Sequence, residues 1–490
     1  MTRSCPEPPP AGPELAAADV AIIGAGVVGT AIARTLARYA LDIVLVDAAP
    51  DVGTGTSKAN TAILHTGFDA APGSLESRLL SRGSVLLRSY AAAAGIPVER
   101  TGALLVAWTP EQLAALPGIE AKARANGYQA IRPVRADELY SSEPALGPGA
   151  VGALEIPDES IICPWTTPLA FATEAVAAGV RLLLSAQVNG VCSADGGHEL
   201  VTARGLVRAR WVVNAAGLGS DAIDAMFGGG GFTITPRRGE LIVFDKLARP
   251  LLRSVLLPVP TARTKGVLVA PTVYGNLLLG PTAQDVPDRA DVATTEAGLR
   301  SLLAAGRRIL PGLAAEEVTA TYAGLRAATE HADYQVYADG GRRYACAGGI
   351  RSTGLSASLG IAEHVAGLLG EAGLPLPPRP GYPAAPPAMP YIGEAGPRPY
   401  QDAGLIAADP AYGEIVCHCE RVSRGEIRDA LASPVPPADP GGLARRTRAG
   451  NGRCQGFYCA AAVSRLLAGG PGPAAGVSAE TPGAAEVRPR

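Results

Sequence analysis

The chain has almost no net charge and no long continuous apolar stretch. The first feature argues against a nucleic-acid-binding protein and the second against a membrane-spanning one. It holds 43 Lys and Arg against 45 Asp and Glu among 490 residues, a formal net charge of -2 at pH 7. Without a basic field, nucleic acid is not expected as a partner. Glycines, arginines and an aspartate interrupt the apolar region at residues 20–46, so no transmembrane segment is expected there.

The N-terminus also lacks a basic region followed by an apolar stretch, so a secretory signal is not expected. Four of the eight cysteines cluster near the C-terminus and the others are scattered singly. Clustered cysteines in a chain without a secretion signal favour metal ligation over disulfides. These features predict a cytoplasmic protein. Composition further predicts disordered tails at 1–18 and 469–490 and a Pro-rich linker at 371–413.

A dinucleotide-binding fingerprint stands near the N-terminus. The apolar run Asp19–Ile23 predicts a buried strand, followed by Gly24, Gly26 and Gly29, a helical segment and a second strand that ends at Asp47. The three glycines suit, in order, a tight turn, close backbone approach to a pyrophosphate and packing of the helix on the strand. Asp47 is placed to accept hydrogen bonds from a ribose hydroxyl. The fingerprint alone does not separate FAD from NAD.

Three further segments extend the predicted cofactor site. Residues 56–67 form a loop of small and polar residues, residues 211–217 predict a strand ending in small residues, and residues 344–354 lead through a glycine loop into a helix. The last segment predicts a second helix N-terminus aimed at a polar cofactor edge. The predicted cofactor contacts in these segments are Thr56, Ser57, Asn60, Ala216, Gly217, Gly349, Ser352 and Gly354.

These segments resemble the FAD-dependent oxidoreductases of the D-amino-acid oxidase and glycerol-3-phosphate dehydrogenase superfamily, including the L-2-hydroxyglutarate dehydrogenases. The likeness rests on Ser-Lys-Ala-Asn…His-Thr-Gly-Phe at 57–68 and Gly-Gly-Ile-Arg-Ser at 348–352, and it covers about residues 19–370. It implies an α/β fold in which a Rossmann-like FAD-binding domain carries an inserted antiparallel β-rich substrate domain. The expected bounds are Asp19–Asp69, Gly152–Gly219 and Arg343–Gly370 for the FAD domain and mainly 232–337 for the substrate domain.

Oxidation of an alcohol by a flavin requires a base for the hydroxyl proton, and a histidine suits that task. The resemblance places a flavin-adjacent histidine at His65, which is our candidate base; a role in contacting the flavin or shaping the loop stays open. Arginine clamps a carboxylate or phosphate through a planar pair of donors. The resemblance favours Arg326 as this clamp, with Arg351 as second choice and Arg237 and Arg238 as further candidates.

A second unit is expected at residues 414–468. Cys417 and Cys419 are followed, after 34 residues, by Cys454 and Cys459, and four such thiolates can enclose a soft metal centre. With Arg-Ala-Gly…Gly-Arg-Cys-Gln-Gly at 448–456, the unit resembles the bacterioferritin-associated-ferredoxin-like [2Fe–2S] domain, which implies a small helical fold. A structural zinc site is compatible with the same four ligands and stays open.

The sequence therefore predicts an FAD-dependent dehydrogenase that oxidises a small anionic hydroxy substrate, of the glycerol 3-phosphate or 2-hydroxy acid type, and passes electrons through a C-terminal [2Fe–2S] centre. The resemblance implies a second flavoprotein or an electron-acceptor subunit, and peripheral association with a membrane is compatible with the sequence. Two other functions stay open. One is an FAD-dependent amine or amino-acid oxidoreductase, and the other is a non-catalytic flavin and iron–sulfur electron-transfer subunit.

Overall fold

The computed structural model describes residues 13–194, 196–260 and 266–469. Within them the chain forms strands and α-helices with the following bounds. The strands are β1 (Glu14–Ile23), β2 (Ile43–Val46), β3 (Ile63–Leu64), β4 (Val98–Glu99), β5 (Ala103–Ala107), β6 (Arg132–Arg135), β7 (Gly152–Ile156), β8 (Ser160–Ile162), β9 (Arg181–Leu183), β10 (Val188–Ala194), β11 (Gly197–Thr202), β12 (Gly205–Asn214), β13 (Thr235–Phe244), β14 (Val255–Pro258), β15 (Leu268–Pro271), β16 (Leu277–Gly280), β17 (Gln284–Asp285), β18 (Val318–Ala328), β19 (Gln335–Asp339), β20 (Tyr344–Gly348), β21 (Ile415–Cys417) and β22 (Val422–Ser423). The helices are α1 (Val27–Leu36), α2 (Leu75–Ala94), α3 (Pro110–Ala125), α4 (Ala136–Ser142), α5 (Thr166–Ala177), α6 (Ser220–Met226), α7 (Glu296–Ile309), α8 (Gly354–Glu371), α9 (Ala403–Ala408), α10 (Arg424–Leu431), α11 (Pro440–Thr447) and α12 (Ala460–Leu467).

The first sheet has the strand order β10-β11-β12-β1-β2-β9, with β20 beside β12 and β19 beside β20. Strands β12, β1, β2 and β9 are mutually parallel, and β20 is parallel to β12. Helix α1 packs against α5 and α8. The central strands are buried, which explains why they consist of almost uninterrupted apolar residues. This is the predicted Rossmann-like architecture.

The first strand begins earlier than predicted. We expected disorder through residue 18, but residues 16–18 pair in register with Val207–Ala209 of β12, and β1 begins at Glu14. The prediction is therefore wrong for residues 14–18. The segment has few large apolar side chains, yet pairing with β12 satisfies its backbone groups. The rest of the two predicted tails, apart from residues 13 and 469, lies outside the described residues.

The second sheet has the strand order β17-β13-β16-β15-β14-β5-β7-β6, with β18 on the other edge of β13. Residues 232–337 supply most of it, but β5, β6 and β7 come from residues 103–156, and β5 joins the sheet by pairing with β14. Two predicted assignments are corrected. Gly152–Ile156 belongs to this sheet and not to the FAD domain, and Gln335–Asp339 pairs with β20 of the first sheet and not with the substrate domain.

The C-terminal module, residues 414–469, consists of β21, β22 and helices α10 to α12 around a small core of its own. A capping box between Ser423 and Glu426 starts α10. The predicted linker packs along the FAD domain: Arg379 donates hydrogen bonds to the backbone oxygens of Ala37 and Leu41. No helix within the described ranges has the length and apolar character needed to cross a bilayer.

Candidate functional site

The glycine turn after β1 has the close contacts that the fingerprint requires. Gly24 has a φ of +106°, and a Cβ there would lie 2.3 Å from the backbone oxygen of Ala215. A Cβ on Gly29 would lie 1.7 Å from the backbone oxygen of Gly24. Near Gly26, by contrast, a Cβ would meet only the Ser57 hydroxyl, at 3.1 Å. Gly24 and Gly29 are therefore needed for packing, whereas Gly26 leaves space beside the turn.

Two helix N-termini converge next to this turn. A Cβ on Gly354, the first residue of α8, would lie 3.8 Å from Cγ2 of Val28 in α1. The N-cap residues, Gly26 and Thr353, form no side-chain capping bond to their own helices. Each helix thus presents backbone N–H groups and a partial positive charge to one region. Such a pair of ends suits the pyrophosphate and an electron-rich edge of a dinucleotide cofactor.

Asp47 directly follows β2 and lies beside the glycine turn, as predicted. Its carboxylate accepts hydrogen bonds from the backbone N–H groups of Ala25, at 2.5 Å, and Ala49, at 2.7 Å. Burial raises the pKa of Asp47, and these two hydrogen bonds oppose the shift. Each oxygen keeps a further lone pair, so a contact with a ribose hydroxyl stays a prediction.

The predicted contacts of the 56–60 loop tie the two sheets together. The Ser57 hydroxyl accepts a hydrogen bond from the backbone N–H of Val27 at 2.9 Å, which satisfies one donor at the start of α1. Thr56 donates to the backbone oxygen of Leu325 in β18 at 2.6 Å. Asn60 donates to the backbone oxygen of Ser57. These side chains therefore shape the loop itself, and their contact with a cofactor stays a prediction.

The other predicted contacts follow two neighbouring parallel strands. Ala216 and Gly217 follow β12 after one intervening residue, while Gly349, with a φ of +63°, comes directly after β20. Ser352 is exposed and Gly354 opens α8. Because β1, β12 and β20 are parallel, these loops leave the sheet at the same carboxyl edge as the glycine turn. That edge is where open α/β sheets bind their ligands.

His65 is held between a buried carboxylate and the first turn of α8. Its Nδ1 lies 2.9 Å from Oε2 of Glu159, whose side chain is 0% exposed. The other oxygen of Glu159 accepts hydrogen bonds from the backbone N–H and the hydroxyl of Thr66, at 2.7 and 2.9 Å. The backbone N–H of His65 donates to the Ser356 hydroxyl at 2.9 Å. Since a carboxylate only accepts, Nδ1 carries a proton, and in the neutral ring Nε2 is the nitrogen that can accept one.

Glu159 is the site residue that the sequence did not indicate. It stands in Pro157-Asp158-Glu159, between β7 and β8, where the sequence leads us to expect an exposed turn. Its contact with His65 spans 94 residues. No feature of the local sequence distinguishes it from the partly exposed acids Glu155 and Asp158.

Three of the four candidate arginines are already paired with acids. The pairs are Arg351 with Glu76 at 2.9 Å, Arg237 with Asp285 at 2.6 Å and Arg238 with Asp291 at 2.7 Å. Arg326 differs, because within the described ranges no carboxylate or backbone oxygen pairs with its partly buried guanidinium. Burial, and to a lesser extent the charge of Arg237, lowers the pKa of Arg326. Of the predicted clamps it is therefore the one with free donors for an anion.

The position of Arg326 follows from close contact between β18 and the 56–60 loop. A Cβ on Gly324 would lie 2.0 Å from the backbone oxygen of Ala59, and the Tyr322 hydroxyl donates to the backbone oxygen of Asn60 at 2.7 Å. The guanidinium also needs Gly239 across the sheet, where a Cβ would lie 2.8 Å from Nη2 of Arg326. The clamp thus lies beside the loop that leads to the histidine.

The four C-terminal cysteines come together as two pairs, Cys417 with Cys459 and Cys419 with Cys454. Backbone N–H groups, first that of Tyr458, lower the pKa of Cys454. Burial and the neighbouring Cys417 raise the pKa of Cys459 to about 11. Three or more potential ligands do not surround a single metal position anywhere in the described part of the chain. Two thiol pairs fit two irons with two thiolates each.

Comparisons with known proteins agree with this geometry. A family model described as "FAD dependent oxidoreductase" matches residues 19–368, and one described as "BFD-like [2Fe-2S] binding domain" matches residues 415–469. The chain is 34% identical over 451 residues, 92% of its length and 94% of the relative's, to a glycerol 3-phosphate dehydrogenase of Caloramator mitchellensis. It is 29% identical over 282 residues, 54% of its length and 60% of the relative's, to a mitochondrial L-2-hydroxyglutarate dehydrogenase of Bos taurus.

Among solved structures, a dithionite-reduced L-α-glycerophosphate oxidase from Mycoplasma pneumoniae with FAD bound matches with a TM-score of 0.71. The two chains are 27% identical, and the match covers 75% of this chain and 97% of that one. The predicted fold class and the FAD and [2Fe–2S] cofactors are thereby confirmed, and the iron–sulfur cluster is favoured over zinc.

Proposed function

Because this chain belongs to the FAD-dependent oxidoreductase family and is a dehydrogenase with an iron–sulfur domain, we propose that it oxidises the secondary hydroxyl of a small anionic substrate, with glycerol 3-phosphate as the first candidate. Two relatives are named for that compound, the Caloramator dehydrogenase and a Mycoplasma pneumoniae oxidase. The observation that carries the proposal is the buried Glu159 on His65; Arg326, with which no carboxylate of the described residues pairs, lies in β18 beside the 56–60 loop.

His65 is the proposed base. Glu159 keeps Nδ1 protonated and fixes the ring, so Nε2 is the atom that takes the hydroxyl proton. The positive charge that then develops on the imidazole is stabilised by the buried carboxylate, much as in other acid–histidine pairs. FAD, when bound, supplies the acceptor for the hydride. Glu159 is a positioning residue in this scheme, because it acts through His65.

Arg326 is the proposed anion clamp. An unpaired guanidinium that is partly withdrawn from water gains most from an incoming phosphate or carboxylate, since both accept its parallel N–H donors. Arg237 lies opposite Arg326 in the register of β13 and β18, but its charge is already paired with Asp285, which leaves the anion to Arg326. The clamp explains an anionic substrate but does not by itself choose phosphate over carboxylate.

Gly24, Gly26 and the N-terminus of α1 would hold the pyrophosphate of FAD, and the N-terminus of α8 would face its flavin. The four cysteines would hold a [2Fe–2S] cluster, which accepts one electron at a time. We therefore propose that electrons leave the enzyme through this centre to a one-electron acceptor. A second subunit or partner flavoprotein, and a cytoplasmic location, are part of the same proposal.

An anaerobic absorption titration tests the substrate. Glycerol 3-phosphate, and in a separate sample L-2-hydroxyglutarate, is added to holoenzyme while the flavin bands are followed. Bleaching by either compound is the expected result, and the compound that acts at lower concentration identifies the substrate class. A flavin that stays oxidised with both, but bleaches with glycine or proline, would contradict the proposal and favour amine oxidation.

Substitutions then test the roles of the residues. His65→Ala is expected to slow flavin reduction by roughly 10²–10⁴-fold, the usual contribution of a positioned base, whereas the exposed His331→Ala serves as control. A loss of less than about tenfold would refute the base assignment. Arg326→Gln should mainly raise KM for the anion, while Arg351→Gln, whose arginine is already paired, should raise it less.

A further inference from the structure

The C-terminal module is docked on the FAD domain by buried charges. Asp51, whose side chain is 1% exposed, accepts hydrogen bonds from Arg446 through both of its oxygens, at 2.8 Å each, and from Arg445 at 2.6 Å. Asp51 lies four residues beyond Asp47, so the contact is close to the predicted cofactor site. Buried ion pairs of this kind hold one arrangement, because breaking them leaves a charge without water or partner.

A second buried arginine continues this interface to the cysteines. Arg448 is the C-cap residue of α11, and its side chain is 2% exposed. Its Nη1 donates to Glu394 of the linker at 2.9 Å, and its Nη2 donates to the backbone oxygen of Tyr274 at 3.2 Å and to Glu420. Glu420 is the neighbour in sequence of the cluster ligand Cys419. One guanidinium therefore joins the linker, the substrate sheet and the cluster loop.

Stacked side chains lead from this arginine to the loop at the cofactor site. The guanidinium carbon of Arg448 lies 5.1 Å from the centre of the Tyr274 ring. That ring stacks on Trp165, with centres 4.8 Å apart and planes 18° apart. The indole N–H of Trp165 donates to the backbone oxygen of Lys58 at 3.2 Å, inside the 56–60 loop. The contacts are continuous from Glu420 to Lys58.

We propose that Arg448, Tyr274 and Trp165, here called the Arg448 bridge, fix the cluster module against the flavin loop and form the path by which electrons pass between flavin and cluster within one chain. The inference deepens the proposed function and rests on its claim that electrons leave through the cluster. A packed path favours transfer because electronic coupling falls steeply across gaps. A module on a loose tether would not need a buried arginine with partners in three segments.

The electron balance of the step is simple. A two-electron-reduced flavin gives up its electrons one at a time, and each converts one ferric ion of the cluster to ferrous. In turnover, the one-electron acceptor that takes electrons from the enzyme returns the cluster to the ferric state between the two transfers. The protons released by the flavin go to water.

The test reduces the flavin without using any substrate. Holoenzyme is flash-reduced by photoexcited 5-deazariboflavin, and exchange of electrons between flavin and cluster is followed by flavin absorbance and by freeze-quench electron paramagnetic resonance. Wild type should show an exchange phase whose rate does not depend on protein concentration. Trp165→Leu and Tyr274→Leu should lose this fast phase while keeping their FAD and iron content. Tyr412→Leu, which removes a partly exposed ring that packs against Arg428 in α10, is the matched control and should keep it.

Arg448→Gln tests docking, with a readout that does not depend on turnover. Glu420 then loses its buried partner and keeps only the partly exposed Lys246, so the undocked fraction should rise by roughly tenfold or more, seen as faster hydrogen exchange at the interface. If that variant does not fold, the two leucine variants still decide the matter, because they leave no buried charge behind.

Unchanged exchange in both leucine variants would overturn the proposal, as would a wild-type phase whose rate rises with protein concentration, since transfer would then occur between chains. Absence of any exchange in wild type would also overturn it. Fast exchange in an enzyme that glycerol 3-phosphate cannot bleach would instead reject the substrate and leave the bridge standing.

Discussion

We predict that Glu159→Gln lowers kcat far more than it raises KM. Glutamine keeps the shape of the side chain but loses its charge. The two donors of Thr66 hold the amide oxygen on their side, so the amide NH₂ turns toward Nδ1 of His65. The ring must then accept at Nδ1 and carry its proton on Nε2, which is the wrong tautomer for a base. Substrate binding through Arg326 is not touched by this change.

The size of the effect is bounded by two known cases. Outer partners that orient a functional histidine are worth about 10–100-fold. A carboxylate-to-amide change that also reverses the tautomer costs up to about 10⁴-fold in the serine-protease triad. We expect a loss in kcat of roughly 10²–10³-fold, between these limits. Weaker hydrogen bonds to Thr66 should also cost about 1–3 kcal/mol in the free energy of unfolding.

The assay is stopped-flow bleaching of the flavin at saturating glycerol 3-phosphate. Glu155→Gln is the control, since Glu155 belongs to the neighbouring strand and forms a surface ion pair with Arg132. Such a pair is worth about 0–1 kcal/mol, and kcat should not change. The double variant His65→Ala, Glu159→Gln should be no slower than His65→Ala alone. Losses that multiply in the double variant would show that Glu159 acts independently of the histidine and would refute the reasoning.

Three further predictions concern the cofactor, the interface and stability. Gly29→Ala should abolish FAD binding, because its Cβ would lie 1.7 Å from the Gly24 oxygen; a normal ratio of flavin to protein absorbance would contradict this. Burial alone would raise the pKa of Asp51, but hydrogen bonds and charge from Arg446 outweigh it and the pKa is lowered. The ionised Asp51 therefore stabilises the fold above its unfolded pKa near 3.8, and this stabilisation is lost as the pH falls through the lowered value. Asp51→Asn should lower the free energy of unfolding, measured with urea, by about 3–5 kcal/mol at pH 7 and by progressively less in acid. Burial lowers the pKa of His198 below 6.5, so the unfolded chain binds a proton that the folded chain does not. The melting temperature of wild type should therefore fall between pH 7 and pH 5. His198→Gln should make the melting temperature less dependent on pH in this range, and an unchanged slope would contradict this prediction.

Local elements were predictable wherever the sequence carries its own boundary signals. The predicted order of strand, glycine turn, helix and second strand is that of β1, α1 and β2, and the glycine loop predicted at 344–354 leads into α8. Sheet membership was not predictable in the same way. Residues 103–156 contribute three strands to the substrate sheet because β5 pairs with Val255–Pro258, about 150 residues away. Local periodicity of apolar residues predicts a strand, but it does not show which other strands pair with it.

The same limit separates the site residues that the sequence indicated from those it did not. Arg326 and Arg351 have the same side chain, but their surroundings differ. Glu76 pairs with Arg351, whereas no acid among the described residues pairs with Arg326. Glu159 and Arg448 stand in polar segments that read as exposed, yet both are buried because partners distant in sequence close around them. A buried charge is stable only when its partner is already in place, so its function resides in a pair of residues. Pairs of this kind are visible in the fold and absent from any local pattern, and for that reason the tests above change one partner at a time.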